Sequence, residues 1–201
     1  MLKKIIALLA VVVFAAAGIY AYRTHKAVKN VETYRSVVES VLKEDKLPSS
    51  DEELVLAIIY QETKGGEIDV MQSSESVTGT TNTTSDTHAS IRNGVSHLAE
   101  MLAYASEKDT DVWTGVQAYN FGKAYVDYIA KNGSKNTLLL ADKYSKTVVA
   151  PSLGNANGET YRHLTWDALT YNGGKLYVDG GNFFYAQEVK KKMDLIRWFN
   201  W

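Results

Sequence analysis

Glu62 is the residue of this 201-residue chain best placed to do chemistry. It closes a strongly apolar stretch. Val55, Ile58 and Ile59 precede it by seven, four and three residues, on its own side of a helix. A carboxyl on the apolar face of a helix end is poorly hydrated, which disfavours its charged form and raises its pKa. A general acid working near neutral pH needs that condition. On pattern alone the plainer reading is a surface glutamate at a frayed helix terminus, where the helix dipole disfavours it. Asp69 follows seven residues later, past Gly65 and Gly66. A second carboxylate there would stabilise an oxocarbenium-like transition state or position water; alone it reads as an ordinary loop aspartate. The stretch from Asp69 to Ser76 is small and polar, suited to contacting a sugar.

Other chemistries are poorly supported. His25, His88, His97 and His163 have no metal-ligand spacing, and there is no H-E-x-x-H motif. There is no cysteine, hence no thiol nucleophile, disulfide or thiolate site, and no G-x-S-x-G elbow.

The elements that must position these residues follow from periodicity. Val31 to about Lys46 reads as an amphipathic helix ended by Leu47-Pro48. Ser50-Asp51-Glu52-Glu53 matches a capping box, with Ser50 as N-cap and Glu53 reaching back. It opens the apolar helix Asp51 to Glu62, which Lys64-Gly65-Gly66 stops. Residues 67–89 show no helical pattern and form a long loop rich in Ser, Thr and Gly; so long a loop in a compact domain is usually functional. From Ser90 the helical period returns. Further helices are predicted over Asp111 to Tyr119, Gly122 to about Lys131, Lys135 to about Thr147, and Asn182 to Phe199. Pro151 to Gly158 reads as a loop. Asn172-Gly173-Gly174 reads as a turn between extended pieces at Leu169 to Tyr171 and Leu176 to Val178. Tyr171, Tyr177, Phe183, Phe184 and Tyr185 either stack on sugar faces or pack the domain, packing being the plainer reading.

The N-terminus bears on location. Lys3 and Lys4 precede an apolar run from Ile5 to Tyr22. In a helix that run covers roughly 27 Å, close to the roughly 30 Å of a bilayer's hydrocarbon core. An uncleaved anchor is preferred over a cleaved signal, because the small residues Ala15-Ala16-Ala17 lie inside the run. Arg23, Lys26 and Lys29 follow, so the charge rule for orientation is nearly silent. Residues 1–30 hold five of the 22 basic side chains and none of the 23 acidic ones, so the remainder carries a net charge of about −6. That argues against nucleic acid as a partner.

Four segments occur in a telling order: Ala57-Ile58-Ile59-Tyr60-Gln61-Glu62-Thr63-Lys64-Gly65-Gly66; Asp69-Val70-Met71-Gln72-Ser73-Ser74-Glu75-Ser76; Ser90-Ile91-Arg92-Asn93-Gly94-Val95 with Leu98; and Ala118-Tyr119-Asn120-Phe121-Gly122. This order resembles the lysozyme-like muramidase domain of Gram-positive bacteria, within the goose-type lysozyme and lytic transglycosylase superfamily. Like it are the muramidase half of bifunctional wall hydrolases from conjugative elements and small surface-anchored streptococcal relatives. The likeness covers roughly Ser50 to Tyr128, and its most specific piece is Met71 to Ser76.

The resemblance implies a mainly α, lysozyme-like fold with a long active-site loop, at residues 31–201; the apolar run places an N-terminal membrane segment before it, at residues 1–30. It implies that Glu62 is the catalytic acid and that Asp69 assists. It implies that Gln72, Ser73 and Ser74 line a sugar cleft, and that Tyr119 and Asn120 contact substrate beside the glutamate. The implied activity is N-acetylmuramidase, cutting the β-1,4 bond between N-acetylmuramic acid and N-acetylglucosamine. Two alternatives stand beside it: a lytic transglycosylase leaving 1,6-anhydro ends, and a non-catalytic glycan-binding or scaffold module. The implied partners are peptidoglycan strands and, through the anchor, the membrane, with the domain facing the wall. The family reaction needs no metal and no cofactor. Two departures stand out. Thr63 follows the glutamate where serine is common, and the loop after Ser76 is unusually rich in threonine. Residues 148–181 do not align.

Overall fold

The structure is a computed structural model that describes residues 2–73 and 86–201. It is mainly helical. In chain order the elements are α1 (Leu2–Glu32), α2 (Arg35–Glu44), α3 (Glu52–Glu62), α4 (Thr87–Glu107), α5 (Val112–Phe121), α6 (Ala124–Ala130), α7 (Leu138–Tyr144), β1 (Thr160–Arg162), α8 (Trp166–Asn172), β2 (Lys175–Tyr177) and α9 (Tyr185–Phe199). A 3₁₀ turn at Ser49–Asp51 precedes α3. After α7 the chain continues through a π turn, Ser145–Val149, and one helical turn, Ala150–Ser152.

α3 is the centre of the molecule. Its seven consecutive residues Leu54 to Tyr60 are all buried, the signature of a helix packed on every side. α9 lies along α3 and reaches α5 and α1; α4 packs on α5 and α2. Ile58 and Ile59 are wholly inaccessible, so truncating either to alanine costs about 2–5 kcal/mol. A second apolar cluster joins α6, α7, β2 and Phe183-Phe184 to the far end of α4.

The starts of α4, α5, α7 and α8 are marked by side chains that satisfy orphan backbone N–H groups. Asp86 accepts from His88 N, Thr137 from Leu140 N and Thr165 from Ala168 N. Asp111 accepts from Thr114 N, and its Oδ1 also accepts from Asn136 N at 3.0 Å, tying α5 to the segment before α7.

Three local expectations are corrected. The helix expected over Val31 to Lys46 is broken at Thr33-Tyr34. There Thr33 Oγ1 donates to Asn30 O, and Tyr34 turns its hydroxyl onto Gly65 O at 3.1 Å. The Ser50 capping box does not form. Ser50 Oγ donates to Asp51, while Glu53 is taken by Arg197 at 2.5 Å and Glu52 by Arg35. A two-point pair with a guanidinium outcompetes a back-bond to a single N–H. Leu169 to Tyr171 is helical, within α8, and β2 pairs antiparallel with Thr160–Arg162 instead. Gly173 takes a left-handed φ of 77° as the stop of α8 rather than as a hairpin turn.

α1 combines two characters in one unbroken helix. It is long and apolar enough to cross a membrane, and its apolar window is not buried against the domain. Further along, Thr24, Ala27, Val28 and Val31 are buried on one face, against α3 and α9.

Candidate active site

Glu62 sits at the last residue of α3, half-buried. α9 supplies its partner: Tyr185, at the first residue of that helix, donates its hydroxyl to Glu62 Oε1 at 2.5 Å. Burial raises the Glu62 carboxyl to about 7, against the Tyr185 hydrogen bond, which favours the charged form; the charge of Asp69 adds to the rise. The Tyr185 hydroxyl is itself pushed well above its ordinary value, first by burial and then by Glu62, so it stays a donor.

The chain leaves α3 through residues that need left-handed backbone. Lys64 has φ 55° and Gly65 φ 69°. A Cβ on Gly65 would stand 2.9 Å from the Tyr34 ring, so glycine is required there for space as well as conformation. Thr63, noted only as a departure from the family pattern, holds this exit. Its Oγ1 donates to Val70 O at 2.9 Å and accepts from Gly65 N at 3.2 Å.

Asp69 is buried and acts as the knot of the following turn. Its Oδ1 accepts from Ser73 N at 3.0 Å and from Ser90 Oγ at 2.6 Å, with Ser73 Oγ at 3.4 Å. Ser90 Oγ also accepts from Met71 N at 3.2 Å, and Ser73 Oγ donates to Ser90 O at 2.9 Å. Ser90, at the start of α4, thereby fixes the turn to the helix behind it. Four residues on, a Cβ on Gly94 would come within 2.6 Å of the Met71 side chain, so the turn lies directly on α4.

Gln72, Ser73, Tyr119 and Asn120 line one open hollow of about 320 Å³, together with His97, Phe121 and Gly122. Ser73 is buried with its hydroxyl turned inward, whereas Gln72 donates from Nε2 to Glu67 Oε2 at 3.0 Å. Tyr119 donates its hydroxyl to Met71 O at 2.9 Å, and its ring is parallel to that of Tyr185, with centroids 6.1 Å apart. Burial and then the charges of Glu62 and Asp69 hold the Tyr119 hydroxyl well above its ordinary value. Glu62 and Asp69 are not lining residues of the hollow; the Tyr119–Tyr185 pair connects it to Glu62. Asn120 is exposed, and its Oδ1 accepts from Asn182 N at 2.8 Å. Asn182 Nδ2 donates in turn to the buried Glu188, which also receives Gln61 Nε2. Ser74 lies outside the described residues.

A family model described as Lysozyme-like matches residues 28–193. The chain belongs to that family. This lysozyme-like chain is 50% identical over 199 residues to the pneumococcal vaccine antigen A of Streptococcus pneumoniae, covering 99% of this chain and 97% of the relative. It is 34% identical over 133 residues to the bifunctional muramidase/DL-endopeptidase CwlT of Bacillus subtilis, covering 66% of this chain and 39% of that protein. Among solved structures, it resembles a lipoprotein-like protein of the NLP/P60 family from Staphylococcus aureus, with TM-score 0.73 and 31% identity. That match covers 82% of this chain and 52% of the staphylococcal one, so the lysozyme-like chain spans about half of that protein.

Sequence reasoning placed Tyr185 only among aromatics that either stack on sugar or pack. It packs in the core, as the plainer reading has it, and its hydroxyl is also bonded to Glu62. His97 was missed as a lining residue; its ring lies 5.0 Å from that of Tyr119. The one signal that could have found it is its place on the expected helix after Ser90, six residues past Ile91.

Proposed function

We propose that the chain is a peptidoglycan glycan-strand hydrolase, an N-acetylmuramidase with Glu62 as general acid, held by the α1 anchor with its domain facing the wall. The observation that carries this reading is a carboxyl half-buried at a helix end, raised to about 7 and held by the Tyr185 hydroxyl, next to a hollow lined by the amide side chains of Gln72 and Asn120 and the rings of His97, Tyr119 and Phe121. Such a carboxyl is protonated at neutral pH often enough to give its proton, and ionises readily once it has done so. The CwlT relative, named as a muramidase, supports the same substrate class.

In the proposed step Glu62 transfers its proton to the glycosidic oxygen as the bond from that oxygen to the muramic anomeric carbon breaks. Positive charge develops on the carbon and ring oxygen, and the Glu62 carboxylate left behind lies near it. Water adds to the anomeric carbon and releases a proton to solvent, from which Glu62 is reprotonated, giving a reducing muramic end and a free 4-hydroxyl on the departing glucosamine. Asp69 assists by its negative charge and by holding the turn that carries Gln72 and Ser73. Asn120 keeps its Oδ1 on Asn182, and its Nδ2 is without a partner among the described residues, so it can donate to a sugar acetamide. Tyr119 offers its ring rather than its hydroxyl, which is engaged by Met71 O.

A second reading, the lytic transglycosylase, is favoured by one observation. Asp69 Oδ1 is already occupied by protein donors, and the transglycosylase needs no second carboxylate because the muramic 6-hydroxyl replaces water as nucleophile. Mass spectrometry of fragments from purified peptidoglycan separates the two. Reducing muramic ends support the muramidase. Ends lighter by one water support the transglycosylase. Folded protein that releases nothing from walls of several compositions contradicts both and favours a binding module.

A further inference from the structure

The part of α1 that packs on the domain and the part suited to a bilayer are one helix with no break between them. Thr24, Ala27, Val28 and Val31 recur at spacings of three and four and fix one face of α1 to α3 and α9. If residues 5–22 cross a membrane, the domain is therefore not on a loose tether. The bilayer surface falls near Tyr20 to Arg23, and whatever part of the domain lies at that level meets lipid.

Three exposed tryptophans lie near that level. The Trp201 ring stacks on His25 of α1 with centroids 4.6 Å apart, and His25 Nδ1 is 3.1 Å from Phe199 O. The end of α9 is thus fixed beside the first polar turn after the apolar run. Trp198 and Trp201 are 72% and 76% exposed there. Trp166, 77% exposed, lines a pocket of about 490 Å³ of which Tyr20 of α1 is also a wall. These are three of the chain's four tryptophans. Tryptophan is costly to leave in water and is enriched where a membrane meets water.

The same pocket gathers cations. Lys64 from the end of α3 and Lys191 and Lys192 from α9 line it. Lys191 is paired with Asp167 at 2.5 Å. Among the described residues neither Lys64 nor Lys192 has a carboxylate within ion-pair distance, and the Lys192 ammonium lies 5.0 Å from the centre of the Tyr60 ring. Burial pushes the Lys192 ammonium down, with Lys64 and Lys191 acting the same way against Glu188 and Asp167. The other acid of the pocket, Glu188, is turned to His163, Gln61 and Asn182. Residues beyond 30 carry a net charge of about −6, so a lysine cluster at the α1 end stands out against the rest of the domain.

We propose that this face docks on the bilayer that α1 crosses, with Trp166, Trp198 and Trp201 at headgroup level and the pocket of Lys64 and Lys192 occupied by the phosphate of an anionic phospholipid. The inference rests on α1 being a membrane anchor. Its consequence is positional. Tyr185 and Trp198 are thirteen residues apart on α9, about 20 Å along its axis. Docking holds Glu62 within about that distance of the lipid surface, so the enzyme works on strands close to the membrane.

The test is tryptophan fluorescence of the full chain in nanodiscs whose lipids carry bromine on the upper acyl chain. Discs of phosphatidylcholine alone are compared with discs rich in phosphatidylglycerol. The expected result is strong quenching in the anionic discs, lost in the Trp166→Phe/Trp198→Phe/Trp201→Phe variant, which keeps only Trp113. Lys64→Gln with Lys192→Gln should lower the ratio of docked to undocked protein in anionic discs by about fivefold per lysine and leave the choline discs unchanged. Wild-type protein that floats with lipid yet is quenched no more than the triple variant overturns the docking and leaves the anchor intact. Equal quenching in the two kinds of disc overturns the headgroup pocket. Protein that does not float with lipid at all overturns the anchor and the docking together.

Discussion

The last turn of α3 and the turn that follows it each present one carboxylate, and they treat it in opposite ways. Glu62 is half-buried and has, among the described residues, one hydroxyl donor, Tyr185; burial wins, raising it to about 7. Asp69 is buried more completely, yet its Oδ1 gathers a backbone N–H and the hydroxyl of Ser90, with a second hydroxyl further off. In the proposed mechanism, one environment readies a proton for transfer. The other uses a carboxylate to hold a chain in place. Seven residues of sequence separate the two, so the difference lies in what packs against each: the first turn of α9 in one case, the first turn of α4 in the other.

The comparison breaks most visibly through activity. Glu62→Gln keeps the shape of the side chain but has no acidic proton, and glycan cleavage should fall by about 10²–10⁴-fold. Its stability should not fall, because a poorly hydrated charge has been removed; a denaturant titration at pH 8 checks this. Asp69→Ala should do the reverse in stability. It strips buried donors of their acceptor at about 1–3 kcal/mol for each group, seen as a lower denaturant midpoint at every pH. An Asp69→Ala protein as stable as wild type would remove the structural half of the contrast.

pH sharpens it. Because the Glu62 carboxyl is raised in the folded chain, the folded state binds more protons than the unfolded state between the ordinary 4.5 and about 7. Its contribution to stability is present below that window and is lost as pH rises through it. The loss is at most about 3 kcal/mol, and less because the group is only half-buried. Glu62→Gln should flatten that slope. Cleavage should fall as pH rises through about 7, as the acid loses its proton.

Tyr185→Phe removes the donor that favours the charged form, so the falling limb should move to higher pH. Asp69→Asn removes the negative charge that raises Glu62, so its limb should move to lower pH and by less, since this is the smaller effect. Shifts in the same direction would show that the limb does not belong to Glu62.

How much was legible beforehand depended on how local each feature is. The apolar run of α3 and its stop at Lys64-Gly65-Gly66 are contained in a dozen residues, and the burial of Glu62 follows from them. The order of segments around Asp69, Ser90 and Tyr119 carried the family resemblance, and the fold agrees with it. Tyr185 was not legible as the partner of Glu62 because 123 residues separate them. Ser50 misled for the same reason, since Glu53 is claimed by Arg197 from 144 residues away. Between Leu169 and Val178 the glycines suggested a hairpin. The decisive residue was Thr165, whose hydroxyl starts α8 and makes Gly173 a helix stop.

The most direct test of the central claim is release of fragments from purified peptidoglycan by wild-type protein and Glu62→Gln, side by side across neutral pH. The account predicts that the wild type releases muramic-ended fragments at a rate that declines above about pH 7, and that the folded variant releases almost none at any pH. A folded Glu62→Gln protein that cuts at the wild-type rate would contradict it.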